Sequence, residues 1–483
     1  MTTTRTQPAG DLALSPMDRL AAFYDPGSMQ VIRSGIISRG LGDRARRGDG
    51  VIGAAGRVGG RPVFAYAQDA SHVGGSVSAR HAETITQMMD LAGEASAPLV
   101  GFVESGGARM QEGVAALAGY GEIFRRNVGL SGRIPQISVI TGASAGGGCY
   151  SPALTDFVVM TEEAQMFLTG PQVVHDAVGE LVSAAELGGR RVHERNGLCQ
   201  FVTPTDRHAV QLVRQLLSYL PQCAGAQPAM RRSERPARSD PSEHVPSRAR
   251  ERYDVRTVIE GIVDAGSILE VSPKWARNML TALCRIEGRT VGVIANQPNF
   301  LGGLLDVPAS EKGARFVHTC NSYGIPMLVL VDTPGFIPGR RQEVRGIIRH
   351  GSTLVREFAS ANVPRLTLVL RKAFGGAYIA MNSKAIGAQF YFAWPDAEMG
   401  IMGASQAVGI AHRRELSTAV DPDMARAELA RRYSEEHLRS ERAAEDGFID
   451  EVVTPADTRV RIASAFEVLS GRRALHLLKE VDN

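Results

Sequence analysis

The sequence predicts an α/β layered protein, built as two tandem domains related by internal duplication. The first observation behind this is a set of short stretches that recur at a fixed distance. Gly60-Arg61-Pro62-Val63 returns as Gly288-Arg289-Thr290-Val291, an offset of 228 residues. Gly74-Gly75 returns as Gly302-Gly303, and Ala97-Pro98-Leu99 as Ile325-Pro326-Met327, at the same offset. Ser105-Gly106-Gly107 aligns with Thr333-Pro334-Gly335, and Gly146-Gly147 with Gly375-Gly376 at 229. The second observation is that apolar, strand-like runs alternate with segments of helical periodicity. That order argues for layered α/β architecture with mostly parallel strands.

The elements follow in chain order. Residues 1–15 read as a loose tail. Pro16 to Tyr24 is a short amphipathic helix closing on Asp25-Pro26-Gly27-Ser28, which recurs as Asp264-Ala265-Gly266-Ser267. Val51 to Gln68 reads as a hairpin turning near Gly59-Gly60. Ser78 to Ala92 is helical, with Ile85, Met88, Met89 and Leu91 near one face. Ala97 to Val103 is a buried strand that runs into Glu104-Ser105-Gly106-Gly107-Ala108-Arg109. A helix over Gly113 to Asn127 follows, then a buried strand over Ile134 to Thr141, ending in Gly142-Ala143-Ser144-Ala145-Gly146-Gly147-Gly148. The second copy runs from Tyr253 to about Pro455. Met424 to Glu445 is a charged helical stretch and Pro455 to Leu478 a final helix. The domain limits are therefore 1–221 and 253–483. Between them, residues 222–252 are rich in Arg, Ser, Pro, Glu and Ala and read as a solvated linker.

Composition narrows the class. Of 483 residues, 44% are hydrophobic, enough for sizeable cores, and the formal net charge is only +3. Nothing in this balance marks a nucleic-acid binder. No window approaches the eighteen apolar residues of a membrane span. The N-terminus has no apolar stretch of signal-peptide length. Five cysteines are scattered without a Cys-x-x-Cys pair, which argues against a disulfide framework or a zinc ribbon and for a reduced, cytoplasmic protein. No metal site is expected.

Two strings are decoys. Gly48-Asp49-Gly50-Val51-Ile52-Gly53 fits the dinucleotide fingerprint, but that motif needs a helix after it and here a hairpin follows. Gly142-Ala143-Ser144-Ala145-Gly146 fits a nucleophile elbow between strand and helix. Its repeat partner at position 373 is alanine, so the second copy keeps the glycines and loses the hydroxyl. A serine hydrolase using Ser144 stays as an outside reading. What the two copies share is backbone. A strand ending in consecutive glycines turns sharply and exposes adjacent N–H groups, the ingredients of an oxyanion hole. One such donor contributes roughly 2.7–4 kcal/mol of transition-state stabilisation. Two matched pockets suit a protein that passes a group between two molecules.

The run Glu104 to Gly113 (ESGGARMQEG) resembles the N-domain motif of the carboxyltransferase (β) subunits of biotin-dependent acyl-CoA carboxylases. So do Arg133 to Ser138 (RIPQIS), Tyr150 to Phe157 (YSPALTDF), Phe167 to Pro171 (FLTGP) and Glu186 to Gly189 (ELGG). In the second copy, Ala295 to Pro298, Asp332 to Phe336 (DTPGF), Gly346 to Gly351 (GIIRHG) and Arg371 to Tyr378 (RKAFGGAY) are similar as well. The resemblance spans about residues 20–470 and is to the propionyl-CoA and acetyl-CoA carboxylase type. It implies two tandem crotonase-like domains and a homohexamer, a dimer of trimers, in which the N-domain of one chain faces the C-domain of another. It implies acyl-CoA on the N-domain side and carboxybiotin, carried by a separate biotin carboxylase/carrier subunit, on the C-domain side. Carried over by motif, the N–H groups of Gly146 and Gly147 hold the thioester oxygen as it becomes an enolate. Those of Gly376 and Ala377 hold the ureido oxygen of biotin. Ser105, Gly106, Gly107, Ala108, Arg109, Ala145 and Tyr150 line the CoA pocket, with Arg109 near phosphate or pantetheine. Gly335, Phe336, Phe374, Gly375 and Tyr378 lie on the biotin side. The cofactor supplies the base and the protein supplies alignment and electrostatics.

Ile379 stands where the family sets acyl preference, and an apolar residue there resembles enzymes taking acetyl-CoA or several short acyl groups. The chain departs from the family pattern at several points. It has no biotin-carrier signature and no ATP-binding domain, so a partner must supply both. Its basic N-terminal segment is abbreviated, Thr84 stands where Lys is common, and Gly148-Cys149 and Gln389 are unusual. The implied reaction yields malonyl-CoA or methylmalonyl-CoA. A biotin-dependent acyl-CoA decarboxylase subunit is the alternative within enzymes, and a non-catalytic scaffold homologue the alternative outside them.

Overall fold

The protein was analysed as a computed structural model, which describes residues 13–248 and 251–470. The chain divides between Pro228 and Ala229 into two compact units. Unit 1 begins with α1 (Pro16–Phe23), β1 (Gln30–Ile32), β2 (Val51–Val58) and β3 (Arg61–Gln68). It continues through α2 (Ala79–Glu94), β4 (Leu99–Ser105), α3 (Val114–Leu130), β5 (Gln136–Ala145) and α4 (Gly147–Ala153). It closes with β6 (Phe157–Thr161), β7 (Gln165–Phe167), α5 (Pro171–Val178), α6 (Ala184–Gly188), α7 (Arg190–Asn196), β8 (Phe201–Thr203) and α8 (Asp206–Tyr219).

Unit 2 opens with α9 (Arg256–Ile262), β9 (Leu269–Val271), β10 (Met279–Ile286) and β11 (Arg289–Asn296). α10 (Val307–Ser322), β12 (Met327–Thr333), α11 (Arg340–Val344), α12 (Ile347–Ser360), β13 (Arg365–Phe374) and α13 (Gly375–Ala380) follow. Then come β14 (Phe390–Ala393), β15 (Glu398–Gly400), α14 (Ala404–Ala411), α15 (Arg413–Thr418), α16 (Pro422–His437), α17 (Ser440–Glu445), β16 (Glu451–Val452) and α18 (Thr458–Leu469).

Each unit carries an eight-stranded sheet, and the two sheets have the same plan. The order in unit 1 is β1-β2-β3-β4-β5-β6-β8, with β7 paired to the far end of β5. The order in unit 2 is β9-β10-β11-β12-β13-β14-β16, with β15 paired to β13. The first three strands of each sheet are antiparallel and the rest parallel. Duplication is therefore written in topology as well as in motif. The hairpin expected over Val51 to Gln68 forms as one eight-pair ladder from Val51↔Gln68 to Val58↔Arg61, so no helix follows Gly48 to Gly53. The parallel strands are covered on both faces: every residue of β12 and of β13 is buried. Fully burying a Val, Leu, Ile, Phe or Met side chain contributes about 1.5–3 kcal/mol, and these strands are largely such residues. Helix starts follow local chemistry. Ser78 Oγ accepts from His81 N–H ahead of α2, and Asp306 accepts from Ala309 N–H at the equivalent start of α10.

The end of the central strands repeats too. The β4–β5 ladder slips between Val103 and Ser105, and the β12–β13 ladder between Val331 and Thr333. A glycine must sit against each slip. At Gly75 (φ +68°) a Cβ would lie 2.2 Å from the Glu104 carbonyl oxygen, and at Gly303 (φ +77°) 2.4 Å from that of Asp332. No side chain fits there.

Three expectations need adjustment. The segment read as a solvated linker packs onto unit 2 from Ala229 onward. Arg231 N–H donates to the Gly288 carbonyl, Pro241 lies against Gly261, and Val245 packs on the unit 2 core. Backbone hydrogen bonds hold it where large apolar side chains are lacking. The Met424 to Glu445 stretch is two helices, α16 and α17, meeting at Leu438-Arg439. Of the tail over 1–15 and the final helix to Leu478, residues 1–12 and 471–483 lie outside the described residues.

Candidate active site

In each unit, the central strands end in a glycine turn facing a loop from the neighbouring strand. In unit 1, Gly146 (φ +56°) ends β5 and precedes α4. Its carbonyl accepts from Cys149 N–H at 3.1 Å. Its own N–H donates to the carbonyls of Phe167 and Leu168, at 3.2 and 3.1 Å. That is a correction: the Gly146 amide expected to face a thioester oxygen is already engaged by the end of β7. The repeat offset of 229 gives the same answer, since the equivalents of Gly376 and Ala377 are Gly147 and Gly148. These two open α4, where a helix leaves its first N–H groups without internal acceptors. In unit 2, Gly375 (φ +59°) makes the same turn, and a Cβ there would lie 3.3 Å from the Ile401 carbonyl oxygen.

The facing loops are built alike. Gly107 N–H donates to Ser105 Oγ at 3.2 Å, and Gly335 N–H to Thr333 Oγ1 at 3.2 Å. Val77 N–H donates to the Gly107 carbonyl and Val77 oxygen accepts from Arg109, while Leu305 bonds Gly335 and Ile337 in the same fashion. In unit 1 this places Gly106, Ala108, Ala145 and Tyr150 at or near the surface around the turn, Tyr150 at 50% exposure.

Two other unit 1 expectations change. Ser105 is buried, and its hydroxyl donates inward to the Gly75 carbonyl at 2.9 Å. Arg109 does not face a phosphate. Its side chain is fully buried, with Nη1 2.7 Å from Asp49 and Nη2 donating to the Ser76 carbonyl at 3.0 Å. Asp49 also accepts from Ser78 and lies 3.4 Å from His72, while burial pulls the neighbouring His81 down to about 4. This polar cluster braces the loop from within. Ser144 is also internal: it is buried, its hydroxyl donates to the Gly148 carbonyl at 2.7 Å, and among the described residues no histidine hydrogen-bonds it. A nucleophile needs an accessible oxygen and a base within reach, and Ser144 has neither.

In unit 2, Gly376 and Ile379 are exposed, Tyr378 is partly exposed beside Tyr391, and Ala377 is buried. Phe336 packs its ring against Gly376 and Gly351, with a Cβ at Gly376 3.7 Å away. Phe336, Phe374, Leu304 and Pro334 line a cleft of about 1030 Å³, together with Arg371, Lys372 and the acidic Glu251, Glu398 and Glu435. Asp332 lies beneath, 2.8 Å from Arg371 Nε and 2.8 Å from Lys372 Nζ, and it accepts from Tyr253 Oη at 2.8 Å. Arg371 also donates to the carbonyls of Pro246, Arg248 and Glu251. Residue spacing gave no signal for Asp332, Arg371 or Lys372 as a cluster, because strand pairing brings them together. Among the described residues, no group of three His, Cys, Asp or Glu could hold a metal ion. None of their helices is long and apolar enough to cross a membrane.

Two units of one crotonase-like plan, each with a glycine turn at the end of its central strands, define the class as a carboxyltransferase. The chain belongs to the carboxyl transferase domain family, whose model matches residues 12–481. It is similar to the propionyl-CoA carboxylase carboxyltransferase subunit of Haloferax mediterranei, 44% identical over 477 residues, covering 95% of this chain and 91% of that one. The methylmalonyl-CoA carboxyltransferase 12S subunit of Propionibacterium freudenreichii is 44% identical over 438 residues, covering 90% and 84%. The methylmalonyl-CoA decarboxylase subunit alpha of Propionigenium modestum is 40% identical over 473 residues, covering 95% and 91%. Among solved structures, the transcarboxylase 12S hexamer with methylmalonyl-CoA and methylmalonic acid bound matches with a TM-score of 0.91 at 42% identity, over 95% of this chain and 89% of that one.

Proposed function

We propose that this chain is the carboxyltransferase subunit of a biotin-dependent acyl-CoA carboxylase, moving a carboxyl group onto the α-carbon of a short acyl-CoA such as propionyl- or acetyl-CoA. The observation that carries the reading is the doubled glycine turn, present in both units with equivalent strand slips and equivalent hydroxyl-capped loops. One turn serves the thioester oxygen and the other the ureido oxygen. When bound, the carrier's biotin supplies the activated carboxyl group and then a ureido nitrogen that takes the α-proton. The residues fit such a guest: the aromatic walls of the unit 2 cleft, Phe336 and Phe374, suit a flat ring.

The protein's part is electrostatic. Gly147 and Gly148 N–H groups face the thioester oxygen and become stronger partners as it gains charge. Gly376 and Ala377 N–H groups hold the ureido oxygen. With Arg109 turned inward, CoA phosphates are met by other groups. Exposed Ile379 lines the acyl end and favours small apolar chains. The chain works in the cytoplasm as a homohexamer, and a separate subunit brings biotin and the ATP-driven carboxylation. A second reading, supported by the methylmalonyl-CoA decarboxylase relative, runs the same step in reverse, with the partner setting the direction.

The test combines the purified chain with a biotinylated carrier and its carboxylase subunit, then follows bicarbonate fixation onto acetyl-, propionyl- and butyryl-CoA. ATP-dependent malonyl-CoA or methylmalonyl-CoA is the expected product. No product with any acceptor, under conditions where the carrier is carboxylated, refutes the proposal.

A further inference from the structure

The glycine turns of the two units are supported by different aromatic rings. In unit 2 the ring on Gly376 is Phe336, from the loop after β12. In unit 1 the position equivalent to Phe336 is Ala108, which has no ring. The ring instead comes from helix α3. Tyr120 lies so close over Gly147 that a Cβ there would sit 2.6 Å from its Cγ and 2.7 Å from both Cδ atoms. Its unit 2 counterpart is Gly351, which carries no side chain and leaves that space to the Phe336 ring; the buried positions Ala116, Tyr120, Ile123 and Asn127 of α3 match Ile347, Gly351, Leu354 and Phe358 of α12.

Tyr120 also carries a hydroxyl that Phe336 lacks, and its partners determine its direction. Ser105 has one hydroxyl proton, which goes to the Gly75 carbonyl at 2.9 Å. Its lone pairs are then left to accept from Gly107 N–H at 3.2 Å and from Tyr120 Oη at 3.2 Å. Tyr120 is therefore the donor. Burial pushes its phenol up, so it remains protonated. One side chain thus touches both halves of the turn: its ring bears on Gly147, and its hydroxyl, through Ser105, bears on Gly107.

We propose that Tyr120 is a positioning residue of the acyl-CoA side, holding the Gly147–Gly148 amides and the Gly107 loop in the spacing that favours an anionic oxygen over a neutral carbonyl. This rests on the carboxyltransferase reading above. Phenylalanine at 120 would keep the ring and lose the tie to Ser105. Leucine would lose both.

The experiment compares two probes on the intact oligomer by calorimetry: propionyl-CoA, whose thioester oxygen is neutral, and a CoA derivative ending in a nitronate, planar and anionic where the enolate would be. In Tyr120→Phe, nitronate affinity is expected to fall about tenfold while propionyl-CoA affinity stays within about twofold. Tyr120→Leu should lose more of the nitronate preference. A role in packing alone would lower both affinities together, and that result, or an unchanged preference in Tyr120→Phe, overturns the proposal. A wild-type protein that itself shows no preference for the nitronate overturns the parent reading, and this one with it.

Discussion

Gly376 and Gly147 stand at equivalent turns, yet their surroundings constrain them differently. A methyl group at Gly376 has ordinary contact with Phe336 at 3.7 Å, and the position is exposed, without the positive φ of Gly375. A methyl group at Gly147 collides with Tyr120. At Gly376, then, the N–H can be tested separately from the space around it. Gly376→Ala keeps the donor and is expected to retain most of the transfer rate. Gly376→Pro removes the donor at a first-turn position where proline is otherwise tolerated. Its kcat should fall by about 10²–10³, the typical loss of one oxyanion donor, with little change in the melting temperature. Steady-state kinetics of the two variants decide it. If Gly376→Pro turns over like Gly376→Ala, the amide is not used.

Helices α2 and α10 are repeat partners that are held down by different means. On α10, buried Lys312 donates to three carbonyls, those of Ser272, Trp275 and Met279, at 2.9, 2.9 and 2.7 Å. The equivalent residue on α2 is Thr84, whose hydroxyl meets Arg33 Nε at 3.3 Å. The Lys312 clamp fixes the loop between β9 and β10, while the Thr84 hydroxyl, equally buried, only accepts from Arg33 and donates to the Arg80 carbonyl of its own helix at 3.4 Å. Lys312→Met keeps most of the side-chain volume but leaves three carbonyls without their donor. It should destabilise unit 2 by about 3 kcal/mol, and Thr84→Ala should cost less than about 1 kcal/mol. Urea midpoints of the two variants check this. Equal costs would show that the ammonium is not a clamp.

At the scale of the whole molecule, the face around the unit 1 turn is unusually apolar. Met110, Val114 and Leu117 are 88%, 79% and 60% exposed on one stretch of α3 and its approach. Apolar surface of this kind marks an interaction site. In the proposed hexamer it is covered by a neighbouring copy. Leu117→Asp should therefore lower the mass seen by light scattering and reduce carboxyl transfer with it. A hexamer indifferent to that charge would place the interface elsewhere. The duplication itself was legible before any coordinates, because glycines recur where two backbones approach within van der Waals contact. The inward turn of Arg109 was not. Whether an arginine beside a glycine loop meets a phosphate or a buried carboxylate depends on Asp49, sixty positions earlier in the chain.

By itself, the sequence determined the two-copy α/β plan, the hairpins, the buried parallel strands and the glycine turns. Those depend on local periodicity and on positions where only glycine can lie, and both survive in one dimension. Tertiary structure alone decided which amides are free to act and what supports them. Gly146 loses its donor to the end of β7, Ser144 and Ser105 turn inward, and Tyr120 reaches from α3 to the turn. The physical reason is that an N–H or hydroxyl has one proton to give, and only the folded arrangement of strands and helices determines which oxygen stands nearest to receive it.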